Sequence, residues 1–147
     1  MRSAGPDDPE AHELLAEFAR ASERLYGRVF ESVAAPHETI ESDGLVRPHG
    51  CMLVIDGVAC AGLRRLDDQT AEVKRMYVRP EHRRQGHAGR LLAQLEDIAR
   101  TLGYTRLRLD TGPLQPEAAA LYAKSGYHAI DAYTEMPPGS LFFEKRL

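Results

Sequence analysis

The sequence predicts an α/β fold in which a mixed β-sheet carries helices on both faces. Three observations support this prediction. An amphipathic helix lies near the N-terminus, a hairpin of apolar strands follows it, and the rest of the chain alternates strand, helix, strand, helix and strand. The 147 residues, of which 43% are hydrophobic and 28% charged, suit a single domain over residues 1–147 with its own core.

The first helix is predicted to begin at Asp8-Pro9-Glu10, because proline suits the first turn of a helix. An apolar stripe then recurs at helical spacing: Leu14, Leu15, Phe18, Ala19 and Leu25. The next segment, residues 26–48, is poorly patterned and is predicted to hold a short helix and a long loop. A hairpin of strands 51–55 and 58–66 follows, since Asp-Gly at 56 and 57 is a strong turn signal.

The two cysteines are predicted to be buried free thiols. If Ile55 pairs with Val58 across the turn, Cys60 lies opposite Leu53 rather than Cys51. A disulfide is therefore not expected, and neither is a metal or redox role.

The second half of the chain supplies the remaining elements. A third strand is followed by a loop and by a helix whose apolar stripe ends before Gly103, where a C-terminal cap belongs. The expected elements here are strand Ala71–Val78, a helix carrying Leu91, Leu92, Leu95, Ile98, Ala99 and Leu102, strand Leu107–Asp110, helix Pro116–Ser125, and strands Tyr127–Tyr133 and Leu141–Glu144.

The most informative stretch is the loop between the third strand and the long helix, which contains Arg83, Gly86 and Ala88. Such a loop offers free backbone N–H groups at the positively polarised start of a helix, and its small residues leave room for an anion. The spacing is neither Gly-x-Gly-x-x-Gly nor that of a P-loop. The loop therefore predicts a diphosphate site of another kind.

Charge is distributed unevenly along the chain. Residues 74–90 hold six basic residues against Glu81, a local net charge of +5, whereas the whole chain carries −3 and the remainder therefore −8. A basic cluster in an acidic protein fits a small polyanion better than nucleic acid. Only 7% of the residues are aromatic, and none alternates with the basic run as base stacking would require.

Two motifs resemble those of the GNAT superfamily of N-acetyltransferases. The loop matches its acyl-CoA pattern Arg/Gln-x-x-Gly-x-Gly/Ala, and residues 115–127 resemble its helix Asn-x-x-Ala-x-x-Leu-Tyr-x-x-x-Gly-Phe/Tyr, with Gln115 in place of Asn. The resemblance implies acetyl-CoA as co-substrate and central strands that splay apart. It also implies a strand before the first helix, which only residues 1–4 can supply, so that strand is expected to be short or missing.

The resemblance also implies where acetyl-CoA binds. Backbone N–H groups of the loop hold the pyrophosphate, main-chain groups of the preceding strand bond the pantetheine arm, and nearby arginines, Arg79 among the candidates, meet other phosphates. The expected cofactor-binding residues are Met76, Tyr77, Val78, Arg83, Arg84, Gln85, Gly86, His87, Ala88, Gly89, Arg90 and Gln115.

Two side chains are candidates for catalysis, each with a structural alternative. Tyr122 matches the tyrosine that protonates the departing thiolate, but its helical position also suits a core aromatic. Glu72 lies eleven positions before Arg83, where some family members carry a base, but it also suits an ion pair with Lys74 or Arg64 across the sheet. The resemblance assigns the oxyanion donor to the Val78 N–H.

The sequence thus predicts an N-acetyltransferase that transfers an acetyl group from acetyl-CoA to a primary amine, of a small molecule or a peptide, directly in a ternary complex. The alternatives are a non-catalytic acyl-CoA-binding or sensor module and, less well supported, a nucleic-acid-binding domain. The histidines show no ligand spacing, so we expect no metal. No apolar run is long enough to span a bilayer, and the N-terminus is too acidic for a signal peptide, so we expect a cytoplasmic protein with no membrane partner. A homodimer is left open.

Overall fold

A seven-stranded mixed sheet organises the chain in the computed structural model, which describes residues 1–27 and 40–147. The spatial order is β1-β2-β3-β4-β5-β7-β6; β4 and β5 run parallel and the other described neighbours are antiparallel. The strands are Arg2–Ala4 (β1), Cys51–Ile55 (β2), Ala59–Arg65 (β3), Thr70–Val78 (β4), Arg106–Thr111 (β5), His128–Ile130 (β6) and Leu141–Arg146 (β7).

Helices cover both faces of the sheet, as the sequence predicts. They are Pro9–Tyr26 (α1), His87–Thr101 (α2) and Pro116–Lys124 (α3), with a 3₁₀ turn at Pro80–His82. One buried cluster joins α2 and α3 to alternate residues of the strands, and a second joins α1 to the residues between them. Residues 28–39 of the poorly patterned segment 26–48 lie outside the described residues, so the short helix and long loop expected there stay predictions.

The N-terminal strand is present but short. β1 has three residues and pairs antiparallel with β2, placing Ala4 opposite Met52. Helix α1 follows after a turn, and the Asp8 carboxylate caps it by accepting a hydrogen bond of 2.9 Å from the Ala11 N–H. Its predicted stripe ends earlier than expected, because Leu25 is 46% exposed in a last turn that lies beyond the apolar cluster under α1.

The hairpin register differs from the prediction by one residue. Ile55 pairs with Ala59 rather than with Val58, because the connection is a three-residue loop. The Val58 N–H donates to the Ile55 carbonyl at 2.9 Å, and Gly57 adopts a φ of +75°. Cys60 consequently lies opposite Val54, not Leu53.

The expectation of free thiols is confirmed despite that shift. Cys51 and Cys60 are both buried and unbridged, and they belong to the clusters on opposite faces of the sheet. Burial raises the pKa of the Cys51 thiol to about 11. Such a thiol is uncharged at neutral pH and acts as a small apolar side chain.

The last predicted strand before β7 is much shorter than its apolar pattern suggests. The sequence predicts a strand over Tyr127–Tyr133, but β6 spans His128–Ile130 only. Tyr127 instead packs into the core, and Tyr133 lies in the following loop with its ring 5.3 Å from that of Phe142. The apolar pattern is genuine, but tertiary packing rather than sheet pairing accounts for it.

The two central strands separate, as the resemblance implies. β4 pairs with β5 only from Thr70 to Glu72, so residues 73–78 have no partner on β5. The register between β3 and β4 also shifts between Cys60 and Gly62, and Arg75 on the bulged strand has a φ of +58°. The result is a wedge-shaped opening between β4 and β5.

Candidate functional site

The loop between β4 and α2 has the geometry of an anion site. Gly86 is the N-cap of α2 with a φ of +81°, and no side chain caps the helix. Within the described chain, the N–H groups of residues 86–89 donate to no carbonyl or side chain. A β-carbon at Gly86 would meet nothing within 4 Å, so the backbone is open to a ligand. Free donors at a helix start are what a phosphate oxygen needs.

The basic residues around this loop fall into two groups. Lys74, Arg75 and Arg79 have carboxylate partners; the Arg79 guanidinium lies 3.6 Å or less from three glutamates of α1. By contrast, Arg83, Arg84 and Arg90 are exposed, and no carboxylate of the described residues lies within 4.0 Å of them. Arg79 therefore ties β4 to α1, which removes it as a candidate for phosphate binding.

The end of β4 next to the opening is built from both main chain and side chains. Tyr77 is buried against α1, with its ring 5.9 Å from that of Phe18, so only its main chain can face a cofactor. The Val78 carbonyl accepts a hydrogen bond of 3.0 Å from Arg83 Nε, while Met76 is partly buried against the cluster under α2. The edge of β4 is thus held in place while its β5 side stays unpaired.

Gln115, the residue that departs from the family's usual Asn, precedes the first turn of α3. Its side-chain oxygen accepts a hydrogen bond of 3.2 Å from the Tyr26 hydroxyl, which in turn accepts one of 3.2 Å from the Leu114 N–H. A β-carbon at Gly112 would lie only 2.1 Å from that hydroxyl. Gln115 therefore connects the end of α1 to the start of α3.

Tyr122 lies in the core beneath the splay. It is 5% exposed, and its ring centroid is 6.0 Å from Phe143 and 6.1 Å from Tyr127. Its hydroxyl makes no hydrogen bond to any described residue. Burial, and secondarily the charge of Asp110, raise the pKa of Tyr122 to about 12, so it keeps its proton at physiological pH. The core-packing alternative is present in the structure and is compatible with a chemical role for the hydroxyl.

Glu72 is wholly buried where the pairing of β4 and β5 ends. One carboxylate oxygen accepts a hydrogen bond of 2.8 Å from Arg64 Nε, and the other accepts one of 2.5 Å from the Tyr133 hydroxyl. The ion pair with Arg64 that the sequence offers as an alternative is therefore formed. Burial and the bond to Glu72 raise the pKa of Tyr133. Any proton that Glu72 exchanges with a ligand must pass through one of these partners.

Two residues at the opening, Asp110 and Tyr133, were not among the sequence candidates. Asp110 lies on β5 two residues beyond the last pair with β4, and burial raises the pKa of its carboxyl. Its Oδ2 atom is buried and has no hydrogen-bond partner among the described residues. Aspartate inside a strand is uncommon, which is the one sequence signal that could have drawn attention to it.

Other kinds of site find no support in the described part of the chain. There, no three His, Cys, Asp or Glu side chains come together as a metal site would need. Among the helices of residues 1–27 and 40–147, none combines the length and apolar character required to cross a bilayer. His87, at the start of α2, contacts Arg90 and lies 3.4 Å from the Gln85 side-chain oxygen.

Taken together, the splayed strands and the glycine-containing helix start define an acyl-CoA-dependent transferase. The chain belongs to the GNAT family of acetyltransferases, whose family model matches residues 11–127. The predicted family, fold class and enzyme class are thereby confirmed. Acetyl-CoA is the acyl donor that the family uses.

Individual relatives agree with this assignment. The chain is 29% identical over 127 residues to the N-acetyltransferase YsnE of Bacillus subtilis, covering 79% of this chain and 84% of that protein. It is 42% identical over 78 residues to an IAA acetyltransferase of Azospirillum brasilense, where the match spans 52% of this chain and only 51% of the relative.

Solved structures show the same fold. The structure of a protein from Klebsiella pneumoniae that is described as an acyl-CoA N-acyltransferase superposes on this chain with a TM-score of 0.76 at 30% identity. The match covers 99% of this chain and 95% of that one. A GNAT acetyltransferase of Elizabethkingia anophelis with acetyl-CoA bound gives a TM-score of 0.60 at 22% identity. The match covers 78% of this chain and 86% of that one.

Proposed function

We propose that this enzyme transfers the acetyl group of acetyl-CoA to a primary amine, directly and within a ternary complex, and that residues 1–147 act as one catalytic domain. The observation that carries the proposal is the opening between β4 and β5. It has a free strand edge on the β4 side, and on the β5 side the buried Asp110 Oδ2 atom lacks a hydrogen-bond partner among the described residues. Acetyl-CoA supplies an activated thioester carbonyl. Every other requirement of the reaction falls to the residues of this chain.

Binding of the donor is assigned to the loop and the β4 edge. The N–H groups of residues 86–89 and the exposed side chains of Arg83, Arg84 and Arg90 suit the pyrophosphate. Main-chain groups of residues 76–78 suit the amides of the pantetheine arm, since an extended arm can add to an unpaired strand edge. Gln115 contributes through the hydrogen bond that it accepts from Tyr26, which fixes the start of α3 against the end of α1.

Tyr122 is proposed as the acid that protonates the departing thiolate. Its hydroxyl is uncommitted within the described chain and keeps its proton, because burial raises its pKa to about 12. A donor of this kind would be used only when charge develops on sulfur, so it stabilises the transition state rather than the bound thioester.

Glu72 is proposed as the proton acceptor for the amine, acting through Tyr133. The Tyr133 hydroxyl donates to Glu72 at 2.5 Å, so Tyr133 can take a proton from the amine while passing its own to the carboxylate. Across the reaction the nitrogen of an ammonium acceptor loses two protons. One leaves through Tyr133 and Glu72 to solvent, and the other balances the proton that Tyr122 gives to sulfur.

The proposal is tested by measuring release of coenzyme A thiol from acetyl-CoA with a panel of polyamines, amino acids, aminoglycosides and lysine peptides. We expect acceptor-dependent release with formation of an amide, detected as a mass increase of one acetyl group. A protein that binds acetyl-CoA but releases no thiol with any primary amine would contradict the proposal and favour a binding or sensor role.

A further inference from the structure

The carboxylate of Asp110 occupies an unusual position at the mouth of the splay. Leu107 and Leu109 on the same strand face the cluster under α2, so Arg108 and Asp110 point to the opposite face of the sheet. The last β4–β5 pair joins Glu72 to Arg108. Asp110 therefore lies on the same face as Glu72 but two residues further along β5 than Arg108, the partner of Glu72. It faces Lys74 across the opening.

One carboxylate oxygen of Asp110 is buried without the hydrogen bond that such an atom normally has. Its side chain is 9% exposed, and its buried Oδ2 atom has no hydrogen-bond partner among the described residues. Lys74 Nζ lies 3.7 Å from Oδ2, which is close enough for ionic attraction but too far for a hydrogen bond. Leaving such a group unsatisfied costs free energy, and binding a donor recovers it.

The neighbouring charged groups are satisfied by one another. Each carboxylate oxygen of Glu72 accepts a hydrogen bond, one from Arg64 and the other from Tyr133. On the β7 side of β5, the Arg108 guanidinium donates to Glu144 at 2.9 Å. Tyr122 and Tyr133, which both respond to the charge of Asp110, are uncharged. Of the two carboxylates at the opening, Glu72 and Asp110, only Asp110 has a buried oxygen without a hydrogen-bond donor among the described residues.

We propose that the carboxylate of Asp110 binds the ammonium group of the acceptor, so that this enzyme selects cationic alkylamines over neutral nucleophiles. This inference rests on the proposed function and assigns its acceptor class. An ammonium carries three N–H donors and a full positive charge, so it can supply the hydrogen bond that the Asp110 Oδ2 atom lacks. Asp110 pairs with Phe142 on β7, and the ring of Phe142 lies 5.3 Å from that of Tyr133, whose hydroxyl donates to Glu72. An ammonium bound at Asp110 would therefore lie near the proposed proton path to Glu72.

Substitution of Lys74 distinguishes ligand binding by Asp110 from a purely structural ion pair, because the two roles predict different changes in ligand affinity. If Asp110 exists to receive an ammonium, Lys74 competes with that ligand, and Lys74→Gln should tighten its binding. If Asp110 exists only as the ion-pair partner of Lys74, then Asp110→Asn and Lys74→Gln should disturb the same interaction, and neither should distinguish charged from neutral ligands.

The experiment is an NMR titration of the protein saturated with coenzyme A, using n-propylammonium and its neutral counterpart n-propanol. This measurement does not depend on turnover, so it can fail or succeed separately from the thiol-release assay. We expect saturable binding of n-propylammonium that is at least about 10-fold weaker in Asp110→Asn, because a charge-assisted hydrogen bond is lost, and tighter by about 3-fold or more in Lys74→Gln. Binding of n-propanol should not respond to either change.

Asp97→Asn serves as the matched control, because Asp97 is an exposed carboxylate on α2 paired with Arg100. It should leave both titrations unchanged. Absence of saturable n-propylammonium binding in the wild-type protein, or weaker binding in Lys74→Gln, would overturn the proposal. Should Asp110→Asn fail to fold, the Lys74→Gln titration decides the question alone.

Discussion

Replacing Tyr122 with Phe separates packing from chemistry at one position. Phenylalanine keeps the ring that contacts Tyr127 and Phe143 and removes only a hydroxyl. That hydroxyl makes no hydrogen bond to the described residues, so its loss should change the free energy of unfolding by no more than about 1 kcal/mol, and in the stabilising direction if it changes at all. A tyrosine that only packs would leave the reaction rate unchanged as well.

The expected effect on catalysis is large by comparison. General acid catalysis contributes on the order of 10²–10⁴-fold in rate. A thiol has a pKa of about 8.5 and leaves fairly well unaided, so we expect kcat to fall by roughly 10²-fold, with the KM for acetyl-CoA nearly unchanged. Because burial raises the pKa of Tyr122 to about 12, the wild-type rate should show no loss attributable to its ionisation below pH 10 or so.

Tyr127→Phe is the matched control for this measurement. Tyr127 is a buried neighbour whose hydroxyl donates to Glu96 at 3.1 Å. Its replacement should cost about 1.5–3 kcal/mol of stability, the usual range for a hydrogen bond to a charged group, while leaving kcat intact. Steady-state thiol release and urea unfolding measure both quantities. Full kcat in Tyr122→Phe with a good acceptor would refute its assignment as the acid.

Three further predictions test the rest of the site and its surroundings. Gly86→Val should weaken acetyl-CoA binding at least about 10-fold in calorimetry, because a branched residue resists a φ of +81° and its side chain enters the space above the loop where the phosphates are proposed to bind. Gly103→Val is the control: it lies at another positive φ, +91°, and should lower stability without affecting affinity. Glu72→Gln and Tyr133→Phe should both slow transfer mainly below the pKa of the acceptor amine, and an equal fall at every pH would indicate a structural role. Arg79→Ala should destabilise the fold by about 1–2 kcal/mol at pH 7, whereas Arg84→Ala should not. The Arg79 guanidinium lowers the pKa of the Glu17 carboxyl in the folded state, so this stabilisation is present above the ordinary carboxyl pKa of 4.5 and is lost as pH falls below it; urea midpoints at pH 7 and pH 3 should therefore differ less in Arg79→Ala than in the wild type.

Element type was predictable from sequence wherever the pattern is local. The capped start of α1, the apolar stripe of α2 and the Asp-Gly turn each depend on neighbours within a few residues. Strand ends and register were less predictable, as the three-residue loop at 56–58 and the short β6 show. Register depends on which face of a strand is buried by distant elements, which a local pattern specifies only in part.

The candidate site divides in the same way. The glycine loop before α2 and Tyr122 on α3 lie in contiguous motifs, so the sequence could indicate both. It could not sort the arginines. Arg79 is bound by glutamates more than sixty residues away, while Arg83, four positions later, has no carboxylate partner among the described residues.

The sequence by itself determined the family, the donor and the loop that suits the donor's phosphates, because each follows from short runs of residues whose backbone conformation is set locally. Only the tertiary structure revealed Asp110, the group that we propose binds a cationic acceptor. The separation of β4 from β5 leaves Asp110 beside the opening, with Lys74 just beyond hydrogen-bond distance of its Oδ2 atom. The missing hydrogen bond results from the way two strands distant in sequence meet, which no local pattern records.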